Sequence, residues 1–267
     1  MIPEADQMAR AAADLYEAEQ NCQQIGLMSN RFPGLSLDGA YRIQDALVAH
    51  KLAAGRSQIG WKIGLTSKAM QDALKIETPD SGVLFDDMLF QTRDTVPEGR
   101  FIQPRIEAEI AFVMGSDLGP APSRDDVLAA TEAVVPALEI LDTRIHRADP
   151  ETGKLRVITD TIADNAANAG IVLGEERHAP DAMDLRWVGA IVTRDGIVEE
   201  TGLGAGVLND PPTGIIWLAE RLATQNQTIK KGEIVLSGSF IRPLETSSGC
   251  SVEADYGPFG HVAVSFA

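Results

Sequence analysis

Cysteine is nearly missing from this sequence. Only Cys22 and Cys250 occur, with neither CxxC nor metal-ligand spacing. That excludes a disulfide scaffold and a thiolate zinc site, and points to reduced thiols in a cytoplasmic protein. Histidine is almost as sparse: His50, His146, His178 and His261 lie far apart, so an imidazole metal centre has no spacing to rest on. Long apolar runs are missing too, none approaching the ~20 residues of a membrane span. The N-terminal stretch MIPEADQMARAAADLYEAEQ is acidic and amphipathic and lacks the apolar core of an export signal. Positive charge is the scarcer sign, with 23 Lys and Arg against 39 Asp and Glu and a formal charge of -16. Such a field repels nucleic acid and anionic membranes, and an anionic ligand would need a local cation. No GxSxG elbow, P-loop or GxGxxG fingerprint occurs, so serine hydrolases, NTPases and dinucleotide enzymes lack their signatures here.

What is present is a change of periodicity along the 267 residues. ADQMARAAADLYEAEQNC and LDGAYRIQDALVAHKLAAG carry apolar residues at helical spacing, are separated by FPGLS, and end at Gly55. Beyond that point QIGWKIGL, FIQPRIEAEIAFVMG, GEIVLSGSF and HVAVSFA read as strands. VLAATEAVVPALEILD reads as a helix running into a strand, with Pro136 at the junction. LRWVGAIVTRDGIVEETG predicts a hairpin about Asp195–Gly196, and GIIWLAERLATQN an amphipathic helix. Regular strand–helix alternation is absent, which argues against Rossmann and TIM architectures. The expected class is α+β, with a mainly helical segment over residues 1–90 and a β-rich body over 91–267.

Three stretches could carry chemistry. In PRIEAEIAF, Glu107 and Glu109 alternate with Ile106, Ala108 and Ile110, so in a strand both glutamates share one face. Glu139 interrupts the apolar run Val134–Leu141, where a lone buried carboxylate is costly unless paired, protonated or metal-bound. Three oxygen donors suit a hard cation, Mg²⁺ or Mn²⁺. The competing reading is a solvated ExE face with Glu139 meeting an arginine. In GWKIGLTSKAM, Lys62 lies among apolar neighbours, where burial would lower its pKa for proton transfer, or where it snorkels outward; Lys68 reads as a surface residue. DTIADNAANAG crowds Asp160, Thr161, Asp164, Asn165 and Asn168 into a segment that either loops over the surface or lines a polar pocket. Asp80 follows Pro79 and reads as turn chemistry. LSGSF and DYGPFG are glycine-bearing strand ends that permit close backbone approach.

Taken together, LDGAYRIQ, GWKIGLTSKAMQ, DSGVLFDDM, PRIEAEIAFV, PALEILD, ETGKLRVITDTIADNAANAG, DLRWVGAIV, GVLNDPP with WLA, and GSFIRP resemble the hydratase and decarboxylase branch of the fumarylacetoacetase superfamily over nearly the whole chain. The resemblance implies a mixed β-roll body with a few helices and a divalent metal, Mg²⁺ with Mn²⁺ as the alternative. It implies Glu107, Glu109 and Glu139 as metal ligands, and it raises Lys62 and Asp80 to proton-transfer groups. Thr161, Gly238 and Ser239 become pocket groups, and Arg144 or Arg156 the partner of a remote substrate carboxylate. The implied activity is metal-dependent hydration of a small 2-oxo-enoate dicarboxylate in aromatic-compound catabolism. Hydration of a five-carbon relative, decarboxylation of a six-carbon dioate, and a non-catalytic dicarboxylate-binding subunit are the alternatives. A cytoplasmic homo-oligomer is expected, without nucleic-acid or membrane partners. Two departures stand out. Asp210 occupies a position where some relatives carry histidine. Val157, Ile158 and Thr159 precede Asp160 where the acylpyruvase branch has lysine, which argues against C–C hydrolysis.

Overall fold

The computed structural model describes residues 1–67, 71 and 78–267, so Lys68 lies outside the described residues. Helix α1 (Ala5–Gln20) opens on a reciprocal cap between Glu4 and Gln7, and Phe32 and Leu35 follow the short α2 (Met28–Arg31). Helix α3 (Leu37–Ala53) begins where the Ser36 hydroxyl accepts the Gly39 N–H at 3.1 Å. Ala11, Ala12 and Leu15 of α1 share a buried cluster with Ala40, Ile43 and Leu47 of α3. No helix of the described residues is long and apolar enough to cross a membrane.

The strands form two sheets. The larger sheet contains β1 (Gln58–Gly64), β2 (Asp80–Phe85), β3 (Leu89–Gln91), β5 (Arg105–Met114), β6 (Thr131–Leu141), β7 (Asn168–Leu173) and β10 (Ile234–Leu236). They lie in the order β2-β1-β10-β5-β6-β7-β3, with β11 (Leu244–Glu245) added beside β5. The smaller sheet runs β4 (Thr95–Val96), β13 (His261–Phe266), β12 (Ser251–Asp255), β8 (Gly189–Arg194), β9 (Ile197–Leu203). Helix α3 ends at Ala53. Strands β1 and β2, on the N-terminal side of residue 90, belong to the same sheet as β5 and β6. Asp195 and Gly196 make the expected β8–β9 turn, both at positive φ.

Each face of the larger sheet has its own task. Trp61, Ile63, Val83, Ile106, Ala108, Ile110, Phe112, Leu138 and Ile140 pack with Val192, Val252, Ala254, Val262 and Val264 of the smaller sheet as the main core. The other face carries a small cluster of Leu84, Ala111, Val135, Ala137, Ile171 and Leu236. Period-two alternation sends Lys62, Asp80, Glu107, Glu109 and Glu139 to this second face.

Pro136 corrects the expected junction. Helix α4 (Arg124–Ala130) gives way to β6 at Thr131, and Pro136 sits well inside the strand opposite Ile110. The Pro136 carbonyl accepts the Gly174 N–H at 2.9 Å, just past the end of β7. A residue's N–H and C=O point to the same side of a strand, so the missing donor removes nothing from the β5–β6 ladder.

In the polar stretch at 160–168, Asp160, Asp164, Asn165 and Asn168 are buried and act as fasteners. Asp160, in α5 (Ile158–Ala163), accepts the Ser29 N–H at 2.7 Å, its hydroxyl at 2.9 Å, and the Val157 N–H at 2.8 Å. Gln44 of α3 donates to the carbonyls of Ser81 and Ile162, both at 2.9 Å. Asp164 holds Arg144: Nε–Oδ1 is 2.6 Å, and Arg144 also donates to the carbonyls of Asp164 and Asn168 at 2.7 and 3.0 Å. Both partners are buried, and breaking such a pair strands a charge in the interior. Asp164→Asn should therefore cost about 3–5 kcal/mol, read as a lower urea midpoint against wild type.

Candidate active site

The antiparallel register of β5 and β6 sets Glu107 directly opposite Glu139, and Glu109 opposite Ala137. One oxygen from each of Glu107, Glu109 and Glu139 lies within 4.8 Å of the other two. Glu109 and Glu139 are fully buried, while Glu107 is half-buried on the wall of a cavity. The Gly238 N–H donates to Glu109 Oε2 at 2.8 Å, and Asn168 Nδ2 donates to Glu139 Oε1 at 2.7 Å. Each bond leaves the other oxygen, Glu109 Oε1 or Glu139 Oε2, buried and without a hydrogen-bond partner among the described residues. Tyr256 ties the strands together behind the glutamates. Its hydroxyl accepts the Glu109 N–H at 3.1 Å and donates to the Ala137 carbonyl at 2.6 Å.

Lys62 reaches the same face. It is buried, its Nζ lies 3.4 Å from Glu139 Oε1, and it donates to the Ala166 carbonyl at 3.2 Å. Strand pairing sets Lys62 opposite Gly82 and Gly64 opposite Asp80, so Lys62 and Asp80 are diagonal neighbours with glycine at the other two corners. Those glycines are required. A Cβ on Gly64 would lie 2.2 Å from Asp80 Oδ1 and 2.9 Å from Lys62 Nζ, and one on Gly82 would lie 2.5 Å from the Asn165 carbonyl oxygen.

Asn165, Ala166 and Ala167 follow with φ of 52°, 53° and 58°, a left-handed turn that non-glycine residues adopt only at a cost. Asn165 holds the turn by copying a strand partner. Its Oδ1 accepts the Val83 N–H at 2.8 Å and its Nδ2 donates to the Val83 carbonyl at 2.9 Å. The turn aims the Ala166 carbonyl at Lys62 and places two small side chains on the cavity wall.

Above the carboxylates the cavity has a volume of about 550 Å³, within the usual range for a small-molecule site. Lys62, Asp80, Glu107, Arg105, Arg156, Thr161 and Ser239 line it. Ser239 Oγ donates to the Ile241 carbonyl at 2.9 Å. Gly238 supports Glu109 from behind and does not line the cavity. Arg144 is also away from the wall, taken up by Asp164. Asp210 pairs with Arg124 at 2.7 Å, outside the site. Arg105 is a site residue beyond those expected, and Asn165 and Asn168, named only as part of a polar stretch, hold Val83 and Glu139. Arg105 shares the face of Glu107 by alternation, so it was within reach of a sequence reading, whereas the two asparagines act through contacts far apart in the chain.

The electrostatics follow from crowding. Burial, and then repulsion from Glu139, push the Glu107 carboxyl up to about 8. Burial, with Glu139 and Glu107, holds Glu109 well above the carboxylate range. Burial also raises Asp80, with Lys62 opposing it. Lys62 departs from the lowered pKa expected of a lysine among apolar neighbours. Burial works against its charge, but Glu139, Asp80, Glu107 and Glu109 outweigh burial and hold the ammonium above the ordinary lysine range. Oxygen-only donors with orphaned buried lone pairs and too little positive charge match a hard divalent cation, so the residues present fit a metal centre.

No family model matches the chain. It is 46% identical over 256 residues to 2-oxo-hept-4-ene-1,7-dioate hydratase of Escherichia coli, covering 96% of each sequence. The chain belongs to the hydratase and decarboxylase branch of the fumarylacetoacetase superfamily. Within that superfamily, the 4-oxalocrotonate decarboxylase of Pseudomonas putida G7, solved with magnesium and adipate, superposes with a TM-score of 0.93 over 99% of both chains at 31% identity. A fumarylpyruvate hydrolase from Pseudomonas aeruginosa, solved with Mn²⁺ and pyruvate, shares the fold at a TM-score of 0.61 and 11% identity, covering 78% of this chain and 88% of its own.

The raised carboxyls make metal binding and stability depend on pH together. Between the unfolded glutamate pKa and about 8, the metal-free folded state binds protons that the unfolded chain releases, so this contribution to stability falls as pH rises through that window. A dication must displace the same protons. The rise in Tm on adding Mg²⁺ to metal-stripped protein should be larger at pH 8.5 than at pH 6, as scanning calorimetry can test.

Proposed function

We propose that this protein is a Mg²⁺-dependent hydratase that adds water to 2-oxo-hept-4-ene-1,7-dioate, giving 4-hydroxy-2-oxoheptane-1,7-dioate. The observation that carries the reading is a buried lysine set 3.4 Å from one carboxylate of a three-glutamate cluster, beside a cavity lined by Glu107, Arg105 and Arg156. The relation to the Escherichia coli hydratase supports the substrate, and the magnesium in the decarboxylase structure supports the ion.

Glu107, Glu109 and Glu139 would hold the ion, which when bound supplies Lewis-acid polarisation of the substrate's 2-oxo oxygen. The remaining work falls to the chain. Lys62 and Asp80, neighbours on one sheet face, move the protons: the Asp80 carboxylate takes one from C3 and the Lys62 ammonium delivers one to C5, bringing the double bond into conjugation with the ketone. Water then adds at C4, its oxygen bonding to that carbon and its proton passing to the Lys62 amine, while Asp80 returns a proton to C3. The ammonium of Lys62 also stabilises negative charge as it develops on the 2-oxo oxygen. Thr161 and Ser239 orient the chain of the substrate from the cavity wall. Arg156 remains a partner for the far carboxylate, whereas Arg144 does not, because Asp164 occupies it. The two reduced cysteines and the absence of a membrane-spanning helix among the described residues accord with a cytoplasmic enzyme, and the exposed apolar side chains of Trp187, Ile197 and Val198 accord with a homo-oligomer.

The overall match to the decarboxylase structure favours one second reading, release of CO₂ from a six-carbon 2-oxo-3-enedioate. A Mg²⁺-dependent assay across five-, six- and seven-carbon substrates, with CO₂ followed in parallel, separates the two. Hydration of the seven-carbon dioate should proceed without gas, and CO₂ from the six-carbon dioate as the fastest reaction would replace the hydratase reading. Glu107→Gln should abolish metal-dependent turnover with the fold intact by circular dichroism. Lys62→Met should lower kcat by about 10²–10⁴-fold.

A further inference from the structure

Arg105 forms no salt bridge among the described residues. It lies on the cavity wall, and its Nε is buried without a hydrogen-bond partner among the described residues. Such a donor in a protein interior represents a standing cost unless something else satisfies it. Of the carboxylates around it, Glu107 belongs to the three-glutamate cluster, and the others are engaged elsewhere. Glu245 is gripped by Arg147, with Nη1–Oε1 at 2.6 Å and Nη2–Oε2 at 3.2 Å. Asp142 accepts the backbone N–H groups of Ile102 and Gln103 at 2.8 and 2.7 Å, and Asp164 holds Arg144.

A second cation shares the same wall. Arg156 lines the cavity and donates through Nη1 to the Thr143 hydroxyl at 2.7 Å, a neutral partner, while Asp164, which favours its charge, is already held by Arg144. Burial, and then the guanidinium of Arg105 on the same cavity wall, disfavour the charge on Arg156. Two desolvated guanidiniums facing one cavity call for an anion with two oxygens, which a carboxylate supplies to the fork of an arginine.

Position then gives the pair its meaning. Arg105 precedes Glu107 by two residues on one strand face, so its Cα lies about 7 Å along the sheet from that of Glu107. A substrate with its 2-oxo acid head at the glutamates has a four-carbon bridge, C3 to C6, before its second carboxylate, a span comparable to this spacing. Resting on the proposed reaction, we propose that Arg105, with Arg156 beside it, binds the far carboxylate and makes the enzyme select dicarboxylates over monocarboxylates of equal length. The cation that overcomes the repulsion of a -16 chain for a dianion is thus built into the strand that carries the metal ligands.

The test compares 2-oxo-hept-4-ene-1,7-dioate with 2-oxohept-4-enoate, which ends in a methyl group, using the full chain with Mg²⁺. In parallel, calorimetry measures binding of the unreactive 2-oxoheptane-1,7-dioate and 2-oxoheptanoate. Arg105→Met should lower the dioate-to-monoate ratio of kcat/KM by about 10- to 100-fold, chiefly through the dioate KM, with the binding ratio falling alongside. Arg105→Lys keeps the charge and loses the fork, and should lower the ratio by a smaller factor. Arg156→Met should shift it in the same direction. Binding ratios within twofold of wild type in all three variants overturn the proposal, and if Arg105→Met does not fold the other two decide it. Absence of wild-type turnover would defeat the proposed reaction, and the binding ratios would still decide the role of Arg105.

Discussion

The carboxylates of Glu107, Glu109 and Glu139 repel one another on a sheet face from which water is largely excluded, and the surrounding structure is arranged around that repulsion. Lys62 answers with one positive charge, and single hydrogen bonds from Asn168 and Gly238 settle one oxygen each on Glu139 and Glu109. This is too little to neutralise three acids in a low dielectric, so the cluster completes itself with protons or with a cation. A face built only for stability would replace such a group by well-packed apolar side chains, as the same sheet does a few residues further on at Ala111, Val135 and Ala137. The buried charge is therefore spent on binding.

Geometry around the cluster is held by elements that are costly in isolation. Glycine at 64 and 82 removes side chains from the face so that Lys62 and Asp80 can share it. Three consecutive residues in the left-handed region bring the Ala166 carbonyl to Lys62, and the side chain of Asn165 stabilises that turn by substituting for a strand partner at Val83. Beneath it, the buried Arg144–Asp164 pair fixes the same segment to the end of β6. These groups keep the lysine and glutamates in register before any ligand arrives, which is how electrostatic sites avoid reorganising during reaction.

Much of this was legible along the chain because β-strand alternation has a strict period. Glu107 and Glu109 had to share a face, and the strands, the hairpin at Asp195–Gly196 and the N-terminal helices fall where their patterns place them. Other features were hidden or misread for identifiable reasons. Pro136 read as a helix–strand junction because the rule about proline concerns a lost donor, and only the end of β7 shows that no bond of the β5–β6 ladder is lost there. Arg144 read as a substrate ligand because its partner, Asp164, lies 20 residues away. The sign of the Lys62 shift was misread as well, since apolar neighbours in sequence point outward from the strand on alternate positions and say nothing of the four carboxylates on its own side.

Local periodicity and residue chemistry left a solvated face and a hard-cation site both open for Glu107 and Glu109, and excluded only softer ligand sets built on histidine or thiolate. Whether Glu139 joins them depends on the β5–β6 register, which no local pattern specifies, and it is this pairing that sets Glu139 opposite Glu107. The same holds for Lys62, brought to the cluster across β10, and for Arg105, whose neighbours Glu107 and Glu245 are drawn to the glutamate cluster and to Arg147. Side-chain type travels with the chain. Distance, desolvation and the competition among charges arise only when separate segments close on one another, and those quantities turn an acidic strand into a site.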